Sequence, residues 1–338
     1  MVEDRLADAA DARWLLDEAD PGDWSGPALT ALAGSRGWRP VDAAAADPSA
    51  ASPPDGAGRG ECRLVPFGEA AARYSGGREY REIAVPAAVD PSPVDHRTAA
   101  RTFRQVRDSM VAALGPADAF GSHGPHGPWF DPVPRWGAPF LRWRRPGSRV
   151  LELRAAPVGA DLVLQPVEPY EAWRADTHEW SELGDVGGFV GERLVPNNEG
   201  LFTPGVPRVT TWKQWQALIP GYLARLPAET LALGEHVDLY LFGGSTPRLR
   251  IISSPDGELC LKADLRTPDD PVLAGWCRST DQSMSWRYDA GGAGKVDADQ
   301  LARLIVATLR AEKVRSLSQL VVVRDQGMHW AHFGFFMR

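Results

Sequence analysis

The chain has 338 residues, 43% of them hydrophobic and 24% charged, with 13 tryptophans and a formal net charge of −7. That composition is globular rather than disordered, and the length suits about two domains of ordinary size. The acidic balance argues against a phosphate-binding surface over the whole protein, so nucleic acid and anionic membrane are not the expected partners.

Cys62, Cys260 and Cys277 stand far apart with no C-x-x-C spacing. Neither a zinc cluster nor a disulfide framework is suggested, and a reducing compartment fits best. The opening "MVEDRLADAADARWLLDEAD" is acidic and amphipathic, without the basic and apolar regions of a secretory signal. No run approaches the roughly 20 apolar residues that span a bilayer. The expected location is the cytoplasm. Arginine greatly outnumbers lysine, and Ala, Asp, Gly and Pro are abundant, as in coding from GC-rich DNA.

In chain order, Leu6 to Leu16 and Pro27 to Arg36 read as helices. Residues 43–60, "AAAADPSAASPPDGAGRG", hold only small residues, prolines and charges and read as a mobile loop. "CRLVPF" and "YREIAVPA" read as strands. Arg97 to Leu114 reads as a helix because Phe103, Val106, Met110, Val111 and Leu114 fall on one face, and Gly115-Pro116 ends it. "RVLELRA" and "DLVLQPV" read as strands joined by a hairpin turn at "PVGA". The Gly- and Pro-rich stretch 184–208 reads as a linker. The expected domains are therefore 1–183 and 209–338.

The second half opens with Thr211 and Gln214 at capping-box spacing, predicting a helix over about 212–225 that Pro220 bends or shortens. "VDLYLF", "RLRIIS" and "ELCLKAD" read as three strands separated by good turn sequences. A helical turn near Val272 to Trp276 and a strand "SMSWRYD" follow. The last helix, 298–312, is capped by Asp297, has Gln300 at the capping-box position, and carries Leu301, Leu304, Ile305, Thr308 and Leu309 on one face. Strands "LVVVR" and "HFGFF" end the chain. Each half is then an antiparallel sheet with helices packed on one face, an α+β architecture of two tandem modules. The halves share the order helix, strands, long helix, strands, so a divergent duplication is open.

No motif carries recognisable chemistry. "AGGAGKVDAD" departs from a phosphate-binding loop twice, with Asp289 where the first Gly belongs and Val296 where Ser or Thr belongs. His329 and His332 in "HWAH" share a face only on a helix, and "MHWAHFGFF" reads as a strand. There is no G-x-S-x-G elbow, no cysteine in a nucleophile context, and "DLRTPDDP", with Asp264, Asp269 and Asp270, is an ordinary acidic turn. No cofactor is expected, and the chain does not read as an enzyme.

The stretch "GSHGPHGPWFDPVPRWG", residues 121–137, is the one that invites a site. His123, His126 and Asp131 could hold a metal, but zinc wants three or four ligands and no further donor is local. Trp212, Trp215, Trp276 and Trp286 fall at core positions. Trp129, Phe130 and Trp136 lie in a loop, where such residues serve either as anchors for a partner or as plugs against their own sheet.

The series "TTWKQWQALIPGYLARL", "VDLYLF", "RLRIIS", "ELCLKAD", "LAGWC" and "DADQLARLIVATLRAEKVRSLSQLVV", over about residues 210–325, resembles the YbjN and type III secretion chaperone-like superfamily, in particular its actinobacterial TY-Chap branch. "RTFRQVRDSMVAALGPADAFG", "LRWRRPGSRVLEL" and "EAW" of the first half are similar, more weakly, to actinobacterial domains of the same broad fold. The resemblance implies a non-enzymatic protein-binding module: a secretion chaperone, an adaptor, or an immunity protein for a toxin or exported effector. It supplies no catalytic residues. The acidic net charge favours a basic partner, self-association as a dimer stays open, and an enzyme with a site assembled from dispersed residues between the modules is the alternative.

Overall fold

A computed structural model describes residues 7–42, 60–89, 95–123, 134–145, 149–157, 159–169, 208–265, 275–280, 284–324, 329–330 and 336–337. The first half builds α1 (Ala9–Asp17), α2 (Gly26–Ser35), β1 (Arg39–Asp42), β2 (Glu61–Pro66), β3 (Tyr80–Val89), α3 (His96–Leu114), β4 (Ala119–Ser122), β5 (Pro139–Arg145), β6 (Arg149–Ala156) and β7 (Gly159–Pro166). The second builds β8 (Arg208–Val209), α4 (Trp212–Leu233), β9 (Val237–Gly243), β10 (Pro247–Ser253), β11 (Glu258–Ala263), β12 (Cys277–Arg278), β13 (Trp286–Gly292), α5 (Ala298–Ala311), β14 (Leu320–Arg324), β15 (His329–Trp330) and β16 (Phe336–Met337).

Two seven-stranded sheets result, ordered β1-β2-β3-β7-β6-β5-β4 and β12-β13-β11-β10-β9-β14-β15. Within them the pairing is antiparallel except between β1 and β2, and β8 and β16 form a separate parallel two-stranded sheet. The architecture is α+β, as expected. The helices lie between the sheets: α1 and α3 pack on the first, α4 and α5 on the second, and α3 packs along α4. Alternation explains the layering. Leu151, Leu153, Leu162 and Leu164 turn inward, as do Leu239, Leu241, Ile251 and Leu261, and these join one continuous apolar core across both halves.

Local signals set the helix ends. Asp8 and Asp11 form a capping box at α1, the Ser25 side chain accepts from Ala28 N at α2, and Thr211 and Gln214 form the expected box at α4. Asp297 accepts from Gln300 N at α5. α3 stops at Gly115, whose φ of 84° suits glycine.

The expectation that Pro220 shortens α4 is overturned: the helix runs 22 residues through both Pro220 and Pro227. Each interior proline costs about 3 kcal/mol in a lost hydrogen bond and a crowded turn. Trp215, Ile219, Tyr222, Leu223 and Leu226 are each at most 2% exposed, and burying one such side chain returns about 1.5–3 kcal/mol. Packing between two sheets therefore wins. β1, β4 and β5 were not anticipated. In β5, Arg142 and Arg144 alternate with Leu141 and Trp143 and disguise the strand as a basic loop.

The halves correspond differently from the order read in the sequence. α3 with the meander β4-β5-β6-β7 matches α4 with the meander β9-β10-β11-β13. The first meander is extended at its last strand, by β3, and the second at its first strand, by β14. Among the described residues no helix is long and apolar enough to cross a membrane. The loop 43–59, the stretch 184–207, residues 272–274 and 331–335 lie outside the described residues, and with them most of the expected "HFGFF" strand.

Candidate functional site

The ends of the stretch 121–137 are described; His126, Trp129, Phe130 and Asp131 lie outside the described residues. Trp136 is a plug. It is 4% exposed, sits 6.1 Å from the Phe103 ring and donates its indole N–H to Ala156 O at 3.1 Å. As a candidate anchor for a partner it is therefore corrected to a core residue, because its apolar ring already has the core as its partner.

His123 is 3% exposed and stacks on Phe140 with ring centroids 4.3 Å apart. It points to the outer face of the first sheet, away from the helices. There its Nε2 lies 2.8 Å from Glu152 Oε1. Arg142 donates to Glu152 Oε2 from Nε at 3.1 Å, and Arg154 donates to Oε1 from Nε at 2.6 Å. Arg154 also reaches both oxygens of Glu82, at 3.2 and 3.3 Å. The strands dictate this meeting: β4, β5, β6, β7 and β3 are consecutive in the sheet, and same-face positions alternate along each.

Burial alone would push the Glu152 carboxyl up, but Arg154, His123 and Arg142 more than offset it and hold the group well below the usual carboxylate range. A carboxylate so held stays ionised at neutral pH. Among the described residues no group of three His, Cys, Asp or Glu side chains is placed to hold a metal ion.

A second feature is open to the outside. Where α3 and α4 both end, beside β4, lies a groove of about 490 Å³. Its floor is apolar, from Val111, Ala117, Leu141 and Leu233, and its rim carries Arg107, Asp108 and Glu235. Phe120 on β4 reaches into it and is 37% exposed, one of two large hydrophobic side chains so exposed among the described residues; the other is Leu218. The Arg107 guanidinium is already committed, to Leu233 O and to Asp108 Oδ1. Gly234 permits that approach: its φ is +66°, and a Cβ there would meet Arg107 Nη1 at 2.6 Å.

Between groove and cluster the two halves are joined. Glu229 of α4, 1% exposed, accepts from Ser122 Oγ at 2.6 Å and from Ala138 N at 3.0 Å. Gly137, with φ of +148°, passes so close that a Cβ would meet Glu229 Cγ at 2.6 Å. Arg97 and Arg104 of α3 reach Asp256 O and Pro255 O in the turn after β10, each at 3.1 Å.

The remaining candidates are placed as follows. The glycine-rich turn 293–295 joins β13 to α5, and Gly294 packs against His96 at the start of α3. Asp264 accepts from Ser285 N at 2.8 Å; Asp269, Asp270 and His332 lie outside the described residues. His329 stands in β15. Cys62 is buried and burial pushes its thiol up to about 12, burial also raises Cys260, and Cys277 is exposed. Neither Phe120 nor Glu152 was singled out by the sequence. Phe120 lies in a four-residue strand too short for a periodic signal, and Glu152 alternates with Leu151 and Leu153 as an ordinary solvent-facing residue would.

Comparison with protein-family models, with curated proteins and with solved structures finds no match in any of the three.

Proposed function

We propose that this protein binds another protein without catalysis, as a chaperone-like adaptor or an immunity protein for a secreted effector or toxin. One observation carries the reading: the groove beside β4 is concave, apolar at its floor and charged at its rim, and Phe120 stands half-exposed in it. Interfaces concentrate their energy in aromatic anchors set in such pockets, inside a polar rim. The resemblance of residues 210–325 to the secretion chaperone-like superfamily points the same way, and the net charge of −7 suits a basic partner.

The test is co-purification of the full chain with products of neighbouring genes. A partner binding at micromolar affinity or better, at least tenfold weaker to Phe120→Glu at unchanged melting temperature, is the expected result. Absence of binding by every neighbour overturns the reading.

The second reading, an enzyme built from dispersed residues, is favoured by the gathering of His123, Glu152 and Arg142. That cluster lies on the outer face of the first sheet, not between the halves. Turnover of a chromogenic ester, phosphoester or peptide substrate that His123→Gln abolishes would establish it.

A further inference from the structure

We infer that the partner binds by adding a β-strand to the free edge of β4, with an apolar side chain of that strand in the groove and basic residues two positions to either side. This rests on the protein-binding reading and specifies its geometry and chemistry.

Register supplies the first argument. His123 N donates to Ala138 O at 2.9 Å, and β4 pairs with β5 as Gly121↔Phe140 and Phe120↔Leu141. Hydrogen-bonded pairs alternate along an antiparallel ladder, so Gly121 bonds inward to β5 and Phe120 turns its N–H and C=O outward. Proline at 139, opposite Ser122, has no N–H to give and agrees with that phase. Among the described residues β4 is the last strand of its sheet. An added strand, about 4.8 Å further out, would pair its central residue with Phe120. Directly opposed residues share a face, and the Phe120–Leu141 face is the one that lines the groove. The central side chain of the newcomer therefore enters the groove, the division of labour in which main-chain bonds give affinity and alternate side chains give specificity.

The second argument is that this edge carries neither of the residue types that block strand addition. Sheets block free edges with proline, charge or very short strands. The opposite edge of the same sheet, β1, reads Arg-Pro-Val-Asp, and the edges of the second sheet, β12 and β15, are two residues each. β4 is as short as β1, but it reads Ala-Phe-Gly-Ser, with neither proline nor charge.

Charge supplies the third. The rim holds Asp108 and Glu235, and Arg107 is turned onto Leu233 O and Asp108. α3 and α4 both end at the groove, and helix C-termini carry negative partial charge. Arg107 already offsets Asp108 and the end of α4, so a lysine or arginine two positions from the anchor on the same face meets Glu235.

The experiment uses the full chain and the synthetic peptide Thr-Lys-Val-Phe-Val-Lys-Thr, its counterpart with Glu for both Lys, and the first peptide N-methylated at Phe and both Lys. The expected result is micromolar binding of the first and at least tenfold weaker binding of the other two. Glu235→Lys should weaken the lysine peptide and strengthen the glutamate one, a reversal that misfolding would not produce. Equal binding of the N-methylated peptide overturns strand addition. Equal binding of the glutamate peptide overturns the basic partner. Absence of binding by all three peptides, while a neighbouring gene product binds, overturns the proposed mode and leaves the protein-binding reading standing. A concentration-dependent dimer that Phe120→Asp dissociates would assign the edge to a second copy of this chain and overturn the inference.

Discussion

Glu152 shows how much one buried charge can organise. Two guanidinium groups, Arg142 and Arg154, and the His123 ring converge on it in a buried face, and the attraction of the cations is met by desolvation of similar size. Removing one member is a different matter from replacing the whole set. Glu152→Gln takes the nearest carboxylate from buried Arg142 and leaves Arg154 to Glu82, and a loss of about 3 kcal/mol is expected in denaturant unfolding. The pH dependence has a definite sign. A depressed folded-state value means that the contribution of Glu152 is full above its unfolded value near 4.3 and is lost as pH falls toward the lower folded value. The stability gap between wild type and Glu152→Gln should therefore narrow progressively below about pH 4, and a gap constant with pH would contradict the assignment. The cysteines give a second prediction. At pH 8 a thiol reagent followed by mass spectrometry should label the exposed Cys277 quickly and Cys62 only on unfolding, since burial lifts Cys62 to about 12. In the sequence His123 has only His126 and Asp131 nearby, which lie outside the described residues; the structure sets it beside Glu152, 29 residues on.

At the scale of elements, caps and long apolar faces were legible, and short or masked strands were not. α5 and α3 were read to within a residue at each end, because a capping residue and an i, i+3, i+4 pattern are local properties. β4 has four residues, and β5 carries arginines on the face that joins the Glu152 cluster. An alternation of apolar with basic residues looks solvated until the opposite face is known to be buried. α4 is the clearest conflict between local and global preference. Pro220→Ala restores a backbone donor within the helix and should raise the unfolding free energy by about 2 kcal/mol, the proline penalty less the entropy that proline removes from the unfolded chain. A lower denaturant midpoint for that variant would mean that Pro220 contributes more through packing and chain stiffness than its missing donor costs.

At the scale of the molecule, α3 is the seam. Arg97, Arg104 and Arg107 reach Asp256, Pro255 and Leu233 carbonyls of the second half, while Glu229 reaches back to Ser122 and Ala138. Glu229→Ala strands a buried hydroxyl and a buried amide, at about 1–3 kcal/mol each. Calorimetry of Glu229→Ala combined with Arg104→Ala should resolve a single thermal transition into two, because the halves then keep their own sheets and lose their coupling. One unsplit transition would show that apolar packing between α3 and α4 suffices. By itself the sequence determined what nearest neighbours decide: which segments are helices, where they are capped, and that each half makes a sheet with helices on one face. Only the tertiary structure decided that α4 survives two prolines, that Trp136 is a plug, that Glu152 gathers two arginines and a histidine, and that Phe120 stands on the outermost described strand of its sheet, beside a groove. Those outcomes depend on which faces are buried and which strands are adjacent. Both are settled by contacts between residues far apart in the chain, which no local pattern encodes.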